Sequence, residues 1–154
     1  HERYYTQVAD NHSIPTGEYA EVAGTPMDFT TPKRIGQDID ADFQQLKFTG
    51  GYDHNYVTDN YAKGSNRLIA TAYSDKSKIA MDVTSDCPCV QFYAANFVDN
   101  EKGKGGHIYN KREAFCLETQ VEPNAVNTEN FHSPVLEAGE QYDSNTSYRF
   151  YIKD

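Results

Sequence analysis

The side chains best suited to chemistry are carboxylates and an amide set inside apolar, strand-like segments. Glu118 lies in Ala114-Phe115-Cys116-Leu117-Glu118-Thr119-Gln120, Asp53 in Gly50-Gly51-Tyr52-Asp53-His54-Asn55-Tyr56, and Gln91 in Val90-Gln91-Phe92-Tyr93. A carboxylate at the end of such a strand is expected to be partly desolvated, which raises its pKa and its basicity. Carboxylates and amides bond hydroxyl groups, and Tyr and Phe faces pack on a sugar ring. Asp53, Gln91 and Glu118 among aromatics therefore form a candidate sugar-binding constellation. The competing reading is three strand-end polar groups satisfied by loop backbone, and spacing alone does not choose between them.

Other chemistries find little support. His1, His12, His54, His107 and His132 are scattered, with no pair at i, i+2 or i+4, so no metal site is expected. Cys87-Pro88-Cys89 has a one-residue spacer that fits neither a zinc ribbon nor a thioredoxin-type motif. Three cysteines cannot all pair, which predicts free thiols in a reducing, cytoplasmic compartment. Gly103-Lys104-Gly105-Gly106 lacks the strand-loop-helix frame of a phosphate loop and reads as a flexible hairpin tip. The chain of 154 residues carries 23 acidic and 14 basic residues, a net charge of −9, with no Lys/Arg cluster. That balance argues against nucleic acid and suits a neutral or cationic ligand. No run of about 18 apolar residues is present, so no membrane span is expected.

The elements that must position these groups are strands. Ile79, Met81 and Val83 alternate with polar residues, as do Tyr148, Phe150 and Ile152, a pattern of antiparallel strands with one face buried. Further strands are expected over residues 3–9, 17–23, 51–58, 66–73, 88–97 and 113–120, rich in Tyr, Phe, Val and Thr. One helix is expected where Ile35, Ile39, Phe43 and Leu46 recur at helical spacing, although Asp38, Asp40 and Asp42 sit among them. Residues 121–137 form a long loop without pattern.

Several segments, in order along nearly the whole chain, resemble the galactose mutarotase (aldose 1-epimerase) family. Gly50-Gly51-Tyr52-Asp53-His54-Asn55 is similar to that family's "GGYDHN" element. Ile14-Pro15-Thr16-Gly17, followed by Gly24-Thr25-Pro26-Met27-Asp28-Phe29, resembles its "IPTG…GTPFDF" stretch, and Val90-Gln91-Phe92-Tyr93 with Asn96 its "VQVYTGN" strand. Glu118-Thr119-Gln120 with Pro123-Asn124-Ala125, then Phe131, Ser133, Leu136, Gly139-Glu140 and Tyr142, resembles its C-terminal end. Departures are Met27 for a common Phe, Asn124 for Asp and His132 for Pro.

The resemblance implies an all-β fold, an antiparallel β-sandwich of the galactose-mutarotase type, of which residues 1–154 form the C-terminal half. It implies interconversion of the α and β anomers of a free aldose, without metal or other cofactor. Glu118 is then the general base, and Asp53 and Gln91 hold sugar hydroxyls. The family's "NHSYFNL"-type segment, with its acid histidine, is not matched. Asn11-His12-Ser13 precedes Ile14-Pro15-Thr16-Gly17 and aligns with the later turn, so His12 is not the acid. The expected partners are an aldose and the N-terminal half of the same enzyme or a second chain. A noncatalytic carbohydrate-binding module on the same fold, and a glycosidase using Asp53 and Glu118 as its carboxyl pair, are the other readings.

Overall fold

The structure, a computed structural model, describes residues 2–153. Its strands are β1 (Tyr4–Val8), β2 (Pro15–Glu21), β3 (Asp53–Val57), β4 (Arg67–Tyr73), β5 (Ile79–Ser85), β6 (Cys89–Tyr93), β7 (Glu101–Lys102), β8 (Ile108–Tyr109), β9 (Cys116–Gln120) and β10 (Thr146–Ile152). Each segment expected to be a strand overlaps one, with ends that differ by a few residues. The glycine-rich 103–106 segment closes the β7–β8 hairpin.

Two larger sheets, both antiparallel, share one core. The five-stranded sheet runs β2-β1-β3-β6-β9, and the three-stranded sheet runs β10-β5-β4. The first contributes Tyr5, Tyr56, Val90 and Phe92 to the core, and the second contributes Ile69 and Val83. The connection from β2 to β3 adds Val22, Met27, Ile39, Leu46 and Tyr52. Phe29 meets Tyr52 and Phe92 edge-on at 5.1 and 5.5 Å, the geometry preferred by aromatic quadrupoles.

The single helix expected across Ile35–Leu46 does not form. A 3-10 turn (Ile35–Gln37) and a short helix α1 (Gln44–Thr49) stand in its place. The aspartates between them have partners elsewhere: Asp38 accepts from Lys33 Nζ at 2.8 Å, and Asp40 takes both guanidinium nitrogens of Arg112 at 2.7 Å. Asp42 pairs with Lys47. Ile35, Ile39, Phe43 and Leu46 still reach the core, so their spacing reported a shared destination rather than a continuous helix.

A second expectation fails on β10. Its alternation predicted a buried apolar face, yet Tyr148, Phe150 and Ile152 are 46%, 66% and 67% exposed. β10 is the outer strand of its sheet, and beside it Ile79 of β5 is also exposed. Cys87 and Cys89 are buried, Cys116 is exposed, and none is in a disulfide. Among the described residues no helix is long and apolar enough to cross a membrane.

Candidate active site

Strand register decides which side chains meet. Asp53 pairs with Tyr93, Asn55 with Gln91 and Val57 with Cys89. Continuing outward, Tyr93 pairs with Cys116, Gln91 with Glu118 and Cys89 with Gln120. Side chains alternate along a strand, so Asp53, Asn55, Gln91, Glu118 and Gln120 share one face. His54, Phe92 and Leu117 occupy the opposite one, toward the core. Asp53, Gln91 and Glu118 are thus brought to one surface, with Gln91 directly opposite Glu118.

The polar face is hydrogen-bonded within itself. Gln91 Nε2 donates to Asp53 Oδ1 at 2.8 Å. Gln120 Nε2 donates to Asn55 Oδ1 at 2.9 Å and to Gln91 Oε1 at 3.2 Å. Asp53 is half-buried. Burial pushes its carboxyl above the usual range, and the Gln91 donor opposes that push. Glu118 departs from expectation: it is exposed rather than desolvated. It lies on β9, the outermost strand of its sheet, and no hydrogen bond or ion pair joins its side chain to the described residues.

A tight turn places Asp53 at the head of β3. Helix α1 ends at Gly50, which adopts φ 65°, and Gly51 N donates to Leu46 O at 2.9 Å, the 6→1 bond of a Schellman cap. Gly51 has φ 138°, and a Cβ there would run into the Asn96 side chain. Asn96 Nδ2 in turn donates to Tyr52 O at 2.8 Å and Thr49 O at 3.2 Å, tying the β6 exit to the β3 entry. The glycine pair and Asn96 are one device that fixes where Asp53 begins.

The histidines lie elsewhere. His54 faces the core, 1% exposed, and its Nδ1 accepts from Asp53 N at 3.2 Å. Burial lowers its pKa to about 4. His12 bonds Asp10 in an exposed turn, and His107 pairs with Glu113. None of these, nor His132, bonds the side chain of Asp53, Gln91 or Glu118. His1 is outside the described residues.

Sequence reasoning missed a buried cluster under the long loop. Glu122 is 1% exposed and accepts from Tyr19 Oη at 2.6 Å, His132 Nδ1 at 2.9 Å and His132 N at 3.1 Å. Burial acts to raise its pKa, but these donors outweigh burial and hold the carboxyl below its ordinary value. The cluster pins residues 122–132 to β2. Tyr19 lies 103 positions from Glu122, so no sequence pattern joins them; the only local signal was a lone Glu ten residues before a lone His.

Comparison with known proteins identifies the family. The sequence pattern of the aldose 1-epimerase family matches residues 1–149. A galactose mutarotase from Homo sapiens is 39% identical over 146 residues, covering 93% of this chain and 40% of its own length. An aldose 1-epimerase from Escherichia coli is 33% identical over 144 residues, covering 92% and 41%. Among solved structures, an aldose epimerase homologue from C. elegans superposes with a TM-score of 0.79 at 26% identity, covering 99% of this chain and 44% of that one. A galactose 1-epimerase from Lactobacillus acidophilus gives 0.73 at 26% identity, covering 99% and 42%. The chain therefore spans about two fifths of the length of the curated relatives it matches. Its family pattern and fold agree: the chain belongs to the aldose 1-epimerase family.

Proposed function

We propose that this chain is the C-terminal half of a mutarotase and carries the base side of its active site. The observation that supports this most directly is the shared face of Asp53, Gln91 and Glu118, with the Gln91–Asp53 hydrogen bond at its centre. In the proposed reaction, Glu118 removes the proton from the C1 hydroxyl of an aldose such as galactose or glucose. An acid delivers a proton to the ring oxygen, and the C1–O5 bond breaks to give the open-chain aldehyde. Rotation about C1–C2 and reclosure, with the two proton transfers reversed, return the other anomer. Asp53 and Gln91 hold hydroxyls and orient the ring, a large share of what a protein contributes to such a step. The cycle consumes no cofactor.

The acid is assigned to a histidine in the remainder of the sandwich, because none of the described histidines hydrogen-bonds a side chain of the trio. The same remainder is the proposed cover for Tyr148, Phe150, Ile152 and Ile79. Support comes from the two-fifths share of the relatives' length and from the apolar character of that exposed face. Three unpaired thiols suit a reducing, cytoplasmic setting.

Polarimetry on fresh α-galactose or α-glucose tests the reading in the enzyme assembled from this chain and the rest of the sandwich. Glu118→Gln should slow anomer interconversion by about 10²–10⁴-fold, since an amide cannot accept the proton. Near-full activity in that variant would remove Glu118 from the role. This chain assayed alone is expected to bind sugar without enzymatic turnover, as a noncatalytic module would.

A further inference from the structure

The polar face contains an amide chain whose polarity is dictated from one end. An ionised carboxylate only accepts hydrogen bonds, so the Gln91 atom facing Asp53 Oδ1 must be the donor, Nε2. That places Gln91 Oε1 at the other end of the amide, where it needs a donor, and Gln120 Nε2 supplies it at 3.2 Å. The same nitrogen also donates to Asn55 Oδ1 at 2.9 Å. Both Gln120 N–H bonds are thereby used, one on Asn55 and one on Gln91, and the Gln91 branch ends on Asp53. Asn55 is 2% exposed, and its amide also hydrogen-bonds the Cys89 side chain on the same face. Asn55 is thus held with its oxygen toward Gln120.

We infer that Gln120 is a positioning residue of the sugar site: by donating to Gln91 Oε1 it holds the Gln91 amide with its donor on Asp53, and so sets sugar affinity rather than proton transfer at Glu118. The inference rests on the mutarotase reading of the Asp53–Gln91–Glu118 face. Gln120 has no assigned contact with the reacting atoms. Its effect travels through one hydrogen bond, and a row of aligned amides polarises each member. Reversing the Gln120 end would turn Gln91 Oε1 toward the Asp53 carboxylate, leaving two acceptors face to face.

The test is steady-state polarimetric kinetics on the assembled enzyme carrying Gln120→Met or Gln120→Glu. Met matches the length of Gln and removes the donor, so KM should rise about threefold with kcat unchanged. Glu substitutes an acceptor that draws Gln91 Nε2 away from Asp53, so KM should rise about tenfold with kcat altered less than threefold. In a Gln91→Leu background, Gln120→Met should add nothing further to KM. An unchanged KM in Gln120→Met, a fall in kcat as large as the rise in KM, or full additivity with Gln91→Leu would each overturn the inference. Glu118→Gln run alongside separates the two failures. If it abolishes turnover while the Gln120 variants behave like wild type, the mutarotase reading stands and the positioning role falls. If Glu118→Gln stays active, the site assignment itself falls.

Discussion

The two faces of the five-stranded sheet are made by alternate residues of the same strands, yet they do opposite things. On one side His54, Tyr56, Val90 and Phe92 are buried. Val90 and Phe92 pack there against residues delivered by the other sheet and by the β2–β3 connection. On the other side Asp53, Gln91, Asn55 and Gln120 bond one another, and Glu118 stands free in solvent. The contrast shows how a sheet builds a candidate site: the dry face supplies rigidity, and the register converts it into fixed spacing between side chains one residue away. A slip of one residue in β6 would exchange Gln91 for Phe92 and destroy both faces at once.

This division of labour can be broken by substitution. Phe92→Ala removes a ring that contacts Phe29, Tyr52 and Phe115 from a nearly closed core. Its expected cost in denaturant unfolding is about 3–5 kcal/mol. Asp53→Asn, one strand over and on the other face, is expected to change stability by under about 1 kcal/mol while weakening sugar binding. Equal destabilisation by the two would mean that the polar face is structural and would undo the comparison.

The dry face also predicts a pH dependence. His54 has its folded pKa depressed to about 4 by burial, against 6.5 unperturbed. The folded protein therefore binds fewer protons than the unfolded chain between those values, and stability falls as pH drops from about 6.5 to 4. The full loss from this group is about 3 kcal/mol. Glu122, whose carboxyl is held low, adds its own loss at still lower pH as protonation removes its charge. Urea midpoints measured across this range should slope downward, and His54→Phe should flatten the upper part of the slope. A slope unchanged by His54→Phe would place the proton uptake elsewhere.

Much of this was legible in the sequence because strands carry their own arithmetic. Period-two alternation located two of the strands and richness in Tyr, Phe, Val and Thr the others, while polar residues inside apolar runs made Asp53, Gln91 and Glu118 candidates without deciding between a site and satisfied strand ends. The register that aligns them, and the Gln120–Gln91–Asp53 chain it permits, depends on pairing between distant strands and left no local mark. The Ile35–Leu46 spacing misled because it reported a shared destination in the core; of the aspartates among it, Asp40 is tied to the distant Arg112 and Asp38 and Asp42 to lysines five residues away. The Glu122–His132–Tyr19 cluster was invisible because it joins a patternless loop to a strand 103 residues away.

The smallest effect on stability is expected where the alternation of β10 did not translate into burial. Phe150 pairs with Met81, Tyr148 with Val83 and Ile152 with Ile79, so these side chains line up across two strands as a continuous apolar strip. Phe150 is 66% exposed and β10 is an edge strand, so its side chain contributes little to the fold of this chain. Phe150→Ser should shift unfolding by under about 0.5 kcal/mol. If the strip is where the rest of the sandwich docks, the same change should weaken assembly strongly, because docking is where that ring leaves water. Unfolding of the isolated chain and titration of its association with the complementary part, each with and without Phe150→Ser, measure the two quantities separately. A large loss in unfolding stability would show that the β10 face is already packed in this chain. An unchanged association would show that the proposed cover lies on another surface. Only a small loss in the first measurement with a large loss in the second fits an interior face awaiting its other half.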